Sequence, residues 1–387
     1  MNPPQVFNVT IDQRPLFAAT GNGTANCVGD AFIGCFRPTQ AGYPSGMLAP
    51  GQFNALRSRV NYTPRDTPTA YVQSFHATVQ YEIFKNLLID AAYVGNRTSK
   101  LIILADINQA RPNVTGGTLS VQARRPMPQF SFIQGSLPLG KAQYDSFQLK
   151  LERRFSEGLF ILNSFTYSRA LDNAAGHLES SNGDNSRANY NDLAGEWGVS
   201  NYDVPVNNTT SVVYDLPLGR GRRFGKSMPR ALDALIGGFR LTFINRVTSG
   251  RPVNLTYSPN ANFSVSGDIT YRPNIIGEVV NSDWRTTGKY LNIAAVTAPT
   301  DVTQPFGNAP RNAVRGPGFW QADIGLHKQF TLFNENTKLE LRGEAFNLFN
   351  RTNFGAPNGS IANPATFGTI TSAYPARELQ LAVKLYF

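Results

Sequence analysis

Nowhere do apolar residues run unbroken for the ~18 positions a membrane-crossing helix needs, so that architecture is excluded. Histidine is scarce, with three in the whole chain, and His76, His177 and His327 are too far apart in sequence for a compact zinc motif. No Gly-x-Ser-x-Gly elbow exists to expose a nucleophilic serine. Gly225, Lys226 and Ser227 end like a phosphate loop, but Arg220 stands where the first glycine belongs. The stretch Gly219 to Gly225 therefore reads as a tight basic turn. Met1-Asn2-Pro3-Pro4 leads into a polar stretch, without the basic and apolar regions of a secretory leader.

Charge is thin too, at 16% of residues. The excess of 36 Lys and Arg over 26 Asp and Glu is spread along the chain rather than gathered among aromatics, which argues against nucleic acid as a partner. Anionic lipopolysaccharide or an anionic solute suits that charge better. The two cysteines, Cys27 and Cys35, lie close together in a Gly/Asn-rich segment without a nearby histidine. A small disulfide formed in an oxidising compartment is the expectation, with free thiols the alternative.

What is abundant points to strands and turns: 34 Gly, 25 Pro, 26 Phe and 15 Tyr. The carboxy-terminal segment alternates cleanly. Leu379, Leu381, Val383, Leu385 and Phe387 fall on one face, and Glu378, Gln380, Ala382, Lys384 and Tyr386 on the other. Earlier segments repeat the pattern over about ten residues, nearer a tilted membrane strand than the five or six of a soluble sheet. Tyr71 to Glu82 turns at Lys85 and Asn86 into Leu87 to Tyr93; Phe147 to Arg154 turns at Ser156 to Gly158 and returns through Ile161, Phe165 and Tyr167. Further strand signals lie at 209–216, 239–248, 253–257, 320–330 and 338–346. In Trp320, Ala322, Ile324 and Leu326 the apolar face is even-numbered. Long polar stretches at 96–141, 171–202 and 258–317 separate these hairpins. Short turns at one end and long loops at the other are the pattern of an outer-membrane barrel.

Several charges share the polar strand face: Lys150, Glu152 and Arg154, then Glu340, Arg342 and Glu344. Carboxylates at such spacing could do acid–base work, but a lumen-facing charge ladder is the plainer reading. The loop from Leu171 to Asp203 carries Asp184, Asp192 and Glu196 without the ordered spacing of a calcium motif, and is expected to be solvated.

At this point the segments resemble a family. "FGNAPRNAVRGPGFWQADIGLHKQF", "LELRGEAFNLFNRTNFG" and the terminal strand, with "YVQSFHATVQYEI", "AAYVGNRTSKL", "FTYSRALDN", "VVYDLPLGRGRRFG" and "TSGRPVNL" before them, resemble the carboxy-terminal barrel of TonB-dependent outer-membrane receptors of the Oar-like type. The likeness covers roughly 64–387. It implies an all-β, antiparallel transmembrane barrel of which this chain supplies about ten to twelve of about 22 strands. Residues 1–63 would be a loop-rich segment with strands of the preceding barrel part. The plug and the segment that meets the TonB complex would lie in a missing amino-terminal part, making the chain a fragment. The resemblance implies binding and energised uptake of an unidentified solute, without cofactor, metal or covalent chemistry, in the outer membrane of a Gram-negative bacterium. A surface-adhesion barrel is the alternative. Val383, Leu385 and Phe387 resemble the signal read by the barrel-assembly machinery.

Overall fold

The computed structural model describes residues 60–387 except 115–118, 174–187, 267–268 and 333–336. Cys27, Cys35, His177, Asp184 and nearly all of the 1–63 segment therefore lie outside the described residues.

Fifteen strands follow in chain order: β1 (Val60–Tyr62), β2 (Tyr71–Phe84), β3 (Leu87–Asp106), β4 (Ile133–Ser156), β5 (Leu159–Asp172), β6 (Gly198–Val199), β7 (Val206–Asp215), β8 (Phe239–Thr248), β9 (Pro252–Val253), β10 (Asn274–Ile275), β11 (Val296–Thr297), β12 (Val314–Arg315), β13 (Phe319–Thr331), β14 (Lys338–Phe346) and β15 (Glu378–Tyr386). Nine of them form one antiparallel path, β15-β14-β13-β8-β7-β5-β4-β3-β2, with β1 added in parallel to β4 and β6 to β5. That makes an eleven-stranded sheet, inside the range expected from the alternation. The sheet is open, and β2 and β15 form its edges.

The turns work as their residues dictate. Glu157 and Gly158 both take positive φ (54° and 81°), the geometry that matches the twist of a tight hairpin, and join β4 to β5. Asn86 does the same between β2 and β3 at φ 69°. At the opposite end the connections are long: 107–132, 173–205, 249–318 and 347–377.

The stretch 96–141, read as a loop in the sequence, is strand at both ends. β3 runs on to Asp106 and β4 begins at Ile133, giving 20 and 24 residues where a bilayer needs about 9–11. The Leu101-Ile102-Ile103-Leu104 run, apolar on both faces, supplies the reason. Ile103 and Ala105 meet Leu137 and Ala188 in a buried cluster above the membrane-length part of the sheet.

Registers keep one polar and one apolar face across the whole path. Leu241, Leu326, Gly343 and Leu381 lie level on the apolar face, and Arg240, His327, Arg342 and Ala382 on the other. Across the sheet, the apolar face carries Tyr81, Tyr93, Phe147 and Tyr167, all exposed. On β15, Leu381 is 89% exposed.

The buried apolar residues lie elsewhere. Leu255, Val279, Tyr290, Leu291, Ala295, Val296 and Phe367 form one core, and Ala110, Tyr257, Val265, Ile269 and Tyr271 a second. Both belong to the long connections, and among the described residues Ala322 is the one buried apolar residue of the membrane-length strand segments. A soluble sheet hides its apolar face against a second layer. Here that face is bare, and the core sits in a cap built from loops.

Candidate functional site

The cap and the polar sheet face beneath it are the two surfaces that could handle a solute. On the polar face, the ladder brings together residues far apart in sequence. Glu340 on β14 is nearly buried and accepts from Arg342, from Gln329 Nε2 at 3.2 Å and from Tyr386 Oη at 2.8 Å. The ring of His327 lies against it, Nδ1 to Oε1 3.2 Å, with Thr242 Oγ1 3.1 Å from the other ring nitrogen. Glu340 thus ties β13, β14 and β15 together. Lys150 Nζ meets Glu152 Oε2 at 2.6 Å, and Arg154 lies 3.9 Å from the same carboxylate. Glu344 shares the face, but its carboxylate makes no hydrogen bond or ion pair with the described residues. The ladder charges therefore gather into two groups, at opposite regions of the sheet rather than in one site.

The cap corrects the expectation of solvated loops. Glu196 and Asp203, in the stretch read as solvent-exposed, are 6% and 1% exposed. Arg272 Nη1 meets Glu196 Oε2 at 3.0 Å, and its Nη2 donates to the carbonyl of Gly195. Arg315 pairs with Asp203, Arg311 with Asp172, and Arg125 Nη1 with Asp106 Oδ2 at 2.8 Å. Three of the pairs are buried on both sides, and in the fourth a half-buried Arg315 reaches the buried Asp203. Charges in low dielectric need a partner, which is why these arginines cross between connections to reach one. Three of the pairs join residues 76 to 139 positions apart, so no local spacing reveals them. Asp192 is used locally, its Oδ1 accepting from Gly195 N at 2.9 Å. No trio of His, Cys, Asp or Glu able to hold a metal occurs among the described residues.

Where the cap meets the polar face of β7, β8 and β13, a cavity of about 200 Å³ opens among Asn207, Arg246, Arg251, Phe319, Phe354 and Tyr374. Arg246 lies level with Thr209 and Gln321, which puts it on the polar face. Its guanidinium stands 5.8 Å from the centre of the Phe319 ring, and Tyr374 packs edge-on to Phe319 at 5.0 Å. Neither Arg246 nor Arg251 has an acidic partner among the described residues. Gly250 shapes the wall, since a Cβ there would fall 1.7 Å from the carbonyl oxygen of Gly316. Exposed guanidinium groups beside aromatic faces suit an anionic group on a partly flat solute. A second cavity, of about 440 Å³, lies under the cap against β2 to β5, lined by Ser74, Asn96, Thr98, Tyr144 and Tyr202. Sequence reading found neither cavity, because their walls come from strands and connections distant in the chain.

Comparison with solved structures gives the outer-membrane transporter YddB from Escherichia coli, at 12% identity and TM-score 0.47, covering 85% of this chain and 34% of that one. The FrpB iron transporter from Neisseria meningitidis follows at 11% identity and TM-score 0.40, covering 84% and 33%. The chain thus spans about a third of the length of these solved relatives. No curated protein matches the sequence. The family model "Outer membrane beta barrel domain" matches residues 1–380, nearly the whole chain. The chain belongs to the outer membrane beta-barrel domain family, and its place is the cell outer membrane.

Proposed function

We propose that this chain is the carboxy-terminal part of an Oar-like, TonB-dependent receptor that binds a solute at the cell surface and takes part in its energised uptake. The observation that carries this reading is the division of the sheet. One face is apolar and bare, and the other carries paired charges beneath a packed cap with an arginine-lined cavity. An adhesion barrel needs the first face and the cap. A polar interior with a cavity opening onto it gains its use from passage.

In this reading Lys150, Glu152, Arg154, Glu340, Arg342 and Glu344 face a lumen and shape the route. The Arg246–Arg251 cavity is the first place where an anionic group of the solute is held. Unpaired strand edges leave N–H and C=O groups without partners, which hydrocarbon does not tolerate, so β2 and β15 pair with further strands in the membrane. A receptor of this kind has, besides the described sheet, a plug and a contact with the TonB complex. Val383, Leu385 and Phe387 present the barrel-assembly machinery with its recognition strand, and lipopolysaccharide meets the long-connection rim. No covalent chemistry and no cofactor are assigned.

The test is to express the chain joined to the reading frame upstream of Met1 and probe it with the purified carboxy-terminal domain of TonB. The joined product is expected to bind TonB and this chain alone is not. A joined product that inserts, displays the cap and ignores TonB overturns uptake in favour of adhesion.

A further inference from the structure

The β7–β8 connection, residues 216–238, is the one described link at the short-turn end that is more than a turn. It folds into a compact knot. Gly219 N donates to Phe224 O, Phe224 N to Pro217 O and Gly238 N to Leu218 O, and a seven-residue helix, Arg230–Ile236, closes it. Asp233 on that helix accepts from the backbone N of Arg220 at 2.6 Å. Glycine is required on both sides of this carboxylate: a Cβ at Gly219 or Gly237 would lie 2.7 Å or 2.1 Å from Asp233 Oδ1. This explains the Gly-Arg-Gly-Arg-Arg-Phe-Gly stretch as architecture rather than as a phosphate loop.

With Asp233 turned inward, the outward surface of the knot has no negative charge. Arg220, Arg222, Arg223, Lys226 and Arg230 are all exposed and have no acidic partner among the described residues. Beside them Leu232, Leu235 and Ile236, spaced i, i+3 and i+4 on one helix face, are exposed too, Leu235 at 71%.

The place of the knot follows from Lys328. This residue lies on the apolar face of β13, in line with Ile324 and Leu326, yet it is buried. Its ammonium donates to the carbonyl of Gly237, lies 3.4 Å from that of Asp233, and stands 4.6 Å and 5.1 Å from the ring centres of Phe239 and Phe330. A cation at the end of a helix is favoured by the helix dipole. The helix is therefore pinned against the outside of the sheet, at the aromatic edge of its apolar band. On the apolar face of β13, Trp320 and Phe330 are ten residues apart, about 33 Å of strand, or roughly 23 Å of height at a 45° tilt, which matches the apolar band of a barrel.

We propose that the 216–238 knot is a docking surface for anionic phospholipid headgroups. Leu232, Leu235 and Ile236 enter the acyl boundary of the leaflet on the short-turn side, and the five cations hold phosphate above them. Charge complementarity supports that occupant, and so does continuity with the apolar band, which lipid already covers. An amphipathic surface at that height combines the two attractions that hold a helix in the interfacial plane.

The test uses the full chain, purified in dodecylmaltoside, with dihexanoyl-phosphatidylglycerol and dihexanoyl-phosphatidylcholine as probes and retention read by native mass spectrometry. The protein is expected to retain the glycerol lipid at least tenfold over the choline lipid. R220Q/R222Q/R223Q/K226Q removes the preference, and R220K/R222K/R223K keeps it, which separates charge from fold. A nitroxide at Leu235→Cys, on a Cys27→Ser, Cys35→Ser background in nanodiscs, is expected to be open to oxygen and shielded from a water-soluble nickel relaxant. Equal retention of the two lipids, retention unchanged by the Gln variant, or loss of preference in the Lys variant overturns the proposal. So does a nickel-accessible nitroxide, which points instead to a periplasmic protein as the occupant.

Discussion

Glu196→Ala tests whether buried ion pairs hold the cap. In the folded protein Glu196 Oε2 meets Arg272 at 3.0 Å, while Oε1 accepts from the backbone N of Asn189 at 3.2 Å. The side chains of both partners are at least nine-tenths buried. Truncation leaves the Arg272 guanidinium in low dielectric with the Gly195 carbonyl as its remaining partner among the described residues and frees the Asn189 amide. Breaking such a pair from one side costs about 3–5 kcal/mol. At 1.4 kcal/mol per factor of ten, local opening of 188–203 becomes at least a hundredfold easier. Hydrogen exchange in detergent, read by mass spectrometry, is the assay, with β5–β7 amides as the internal reference. The expected result is lost protection over 188–203 and unchanged protection in the ladder. The double variant Glu196→Met, Arg272→Met removes both charges at similar volume and is expected to recover most of the loss, because well-packed apolar replacements of buried pairs are often neutral. Unchanged exchange in the single variant, or equal losses in single and double, refutes the reasoning.

Three other outcomes follow from the geometry. Leu381→Arg, on the bare face of β15, is expected to cost about 2–4 kcal/mol of stability in bilayers, and Gln380→Arg on the polar face under about 1 kcal/mol; urea unfolding in vesicles separates them. Gly250→Ala forces a carbon against the Gly316 carbonyl and is expected to cost about 1–3 kcal/mol and to distort the cavity, visible as altered exchange at 249–253 and 314–318. Burial, with Tyr271 beside it, pushes the Tyr257 hydroxyl up to about 12. Unfolded tyrosine titrates near pH 10, so above that pH the unfolded chain loses its proton first. Cap stability is therefore flat below pH 10 and falls by on the order of 2 kcal/mol towards pH 12, and Tyr257→Phe flattens that fall in a tyrosinate-absorbance titration.

The strand half was legible because a period-two pattern is a local signal. Trp320, Ala322, Ile324 and Leu326 do share a face, as do Leu379, Leu381, Val383 and Leu385, and Lys85–Asn86 and Glu157–Gly158 do turn. Glu340 and Arg342 were placed on one face by spacing alone. That Glu340 also gathers His327, Gln329 and Tyr386 required the register of three strands, which spacing does not fix. The cap was illegible for a related reason. Asp172 and Arg311, or Asp203 and Arg315, look like ordinary loop charges until the connections fold over one another. Polarity there reads as solvation, although the same residues are buried.

The abundance of asparagine in the connections has a physical cause that bears on binding. Strands satisfy their backbone groups through the ladder, so their side chains are free to face lipid or water. The cap has few ladder bonds, and a buried loop must find other partners for its N–H and C=O groups. Asn108 gathers four of them: its Nδ2, with two hydrogens to give, lies within hydrogen-bond reach of the carbonyls of Met127, Phe130 and Ser131, and its Oδ1 accepts from Met127 N. Asn353 bonds both the N–H and the C=O of Trp320, and Asn347 joins Arg351 and Pro375. An amide side chain imitates a strand neighbour, so these asparagines staple irregular backbone as a ladder staples strands. Long surface loops ordinarily lose entropy when they close on a ligand. Loops already stapled from within lose little, and the Arg246–Arg251 cavity can hold its shape before anything enters it. Asn353→Ala, which frees the Trp320 backbone directly behind Phe319, is therefore expected to weaken binding of an anionic solute without touching either arginine, and calorimetry would record the loss mainly as a more unfavourable entropy.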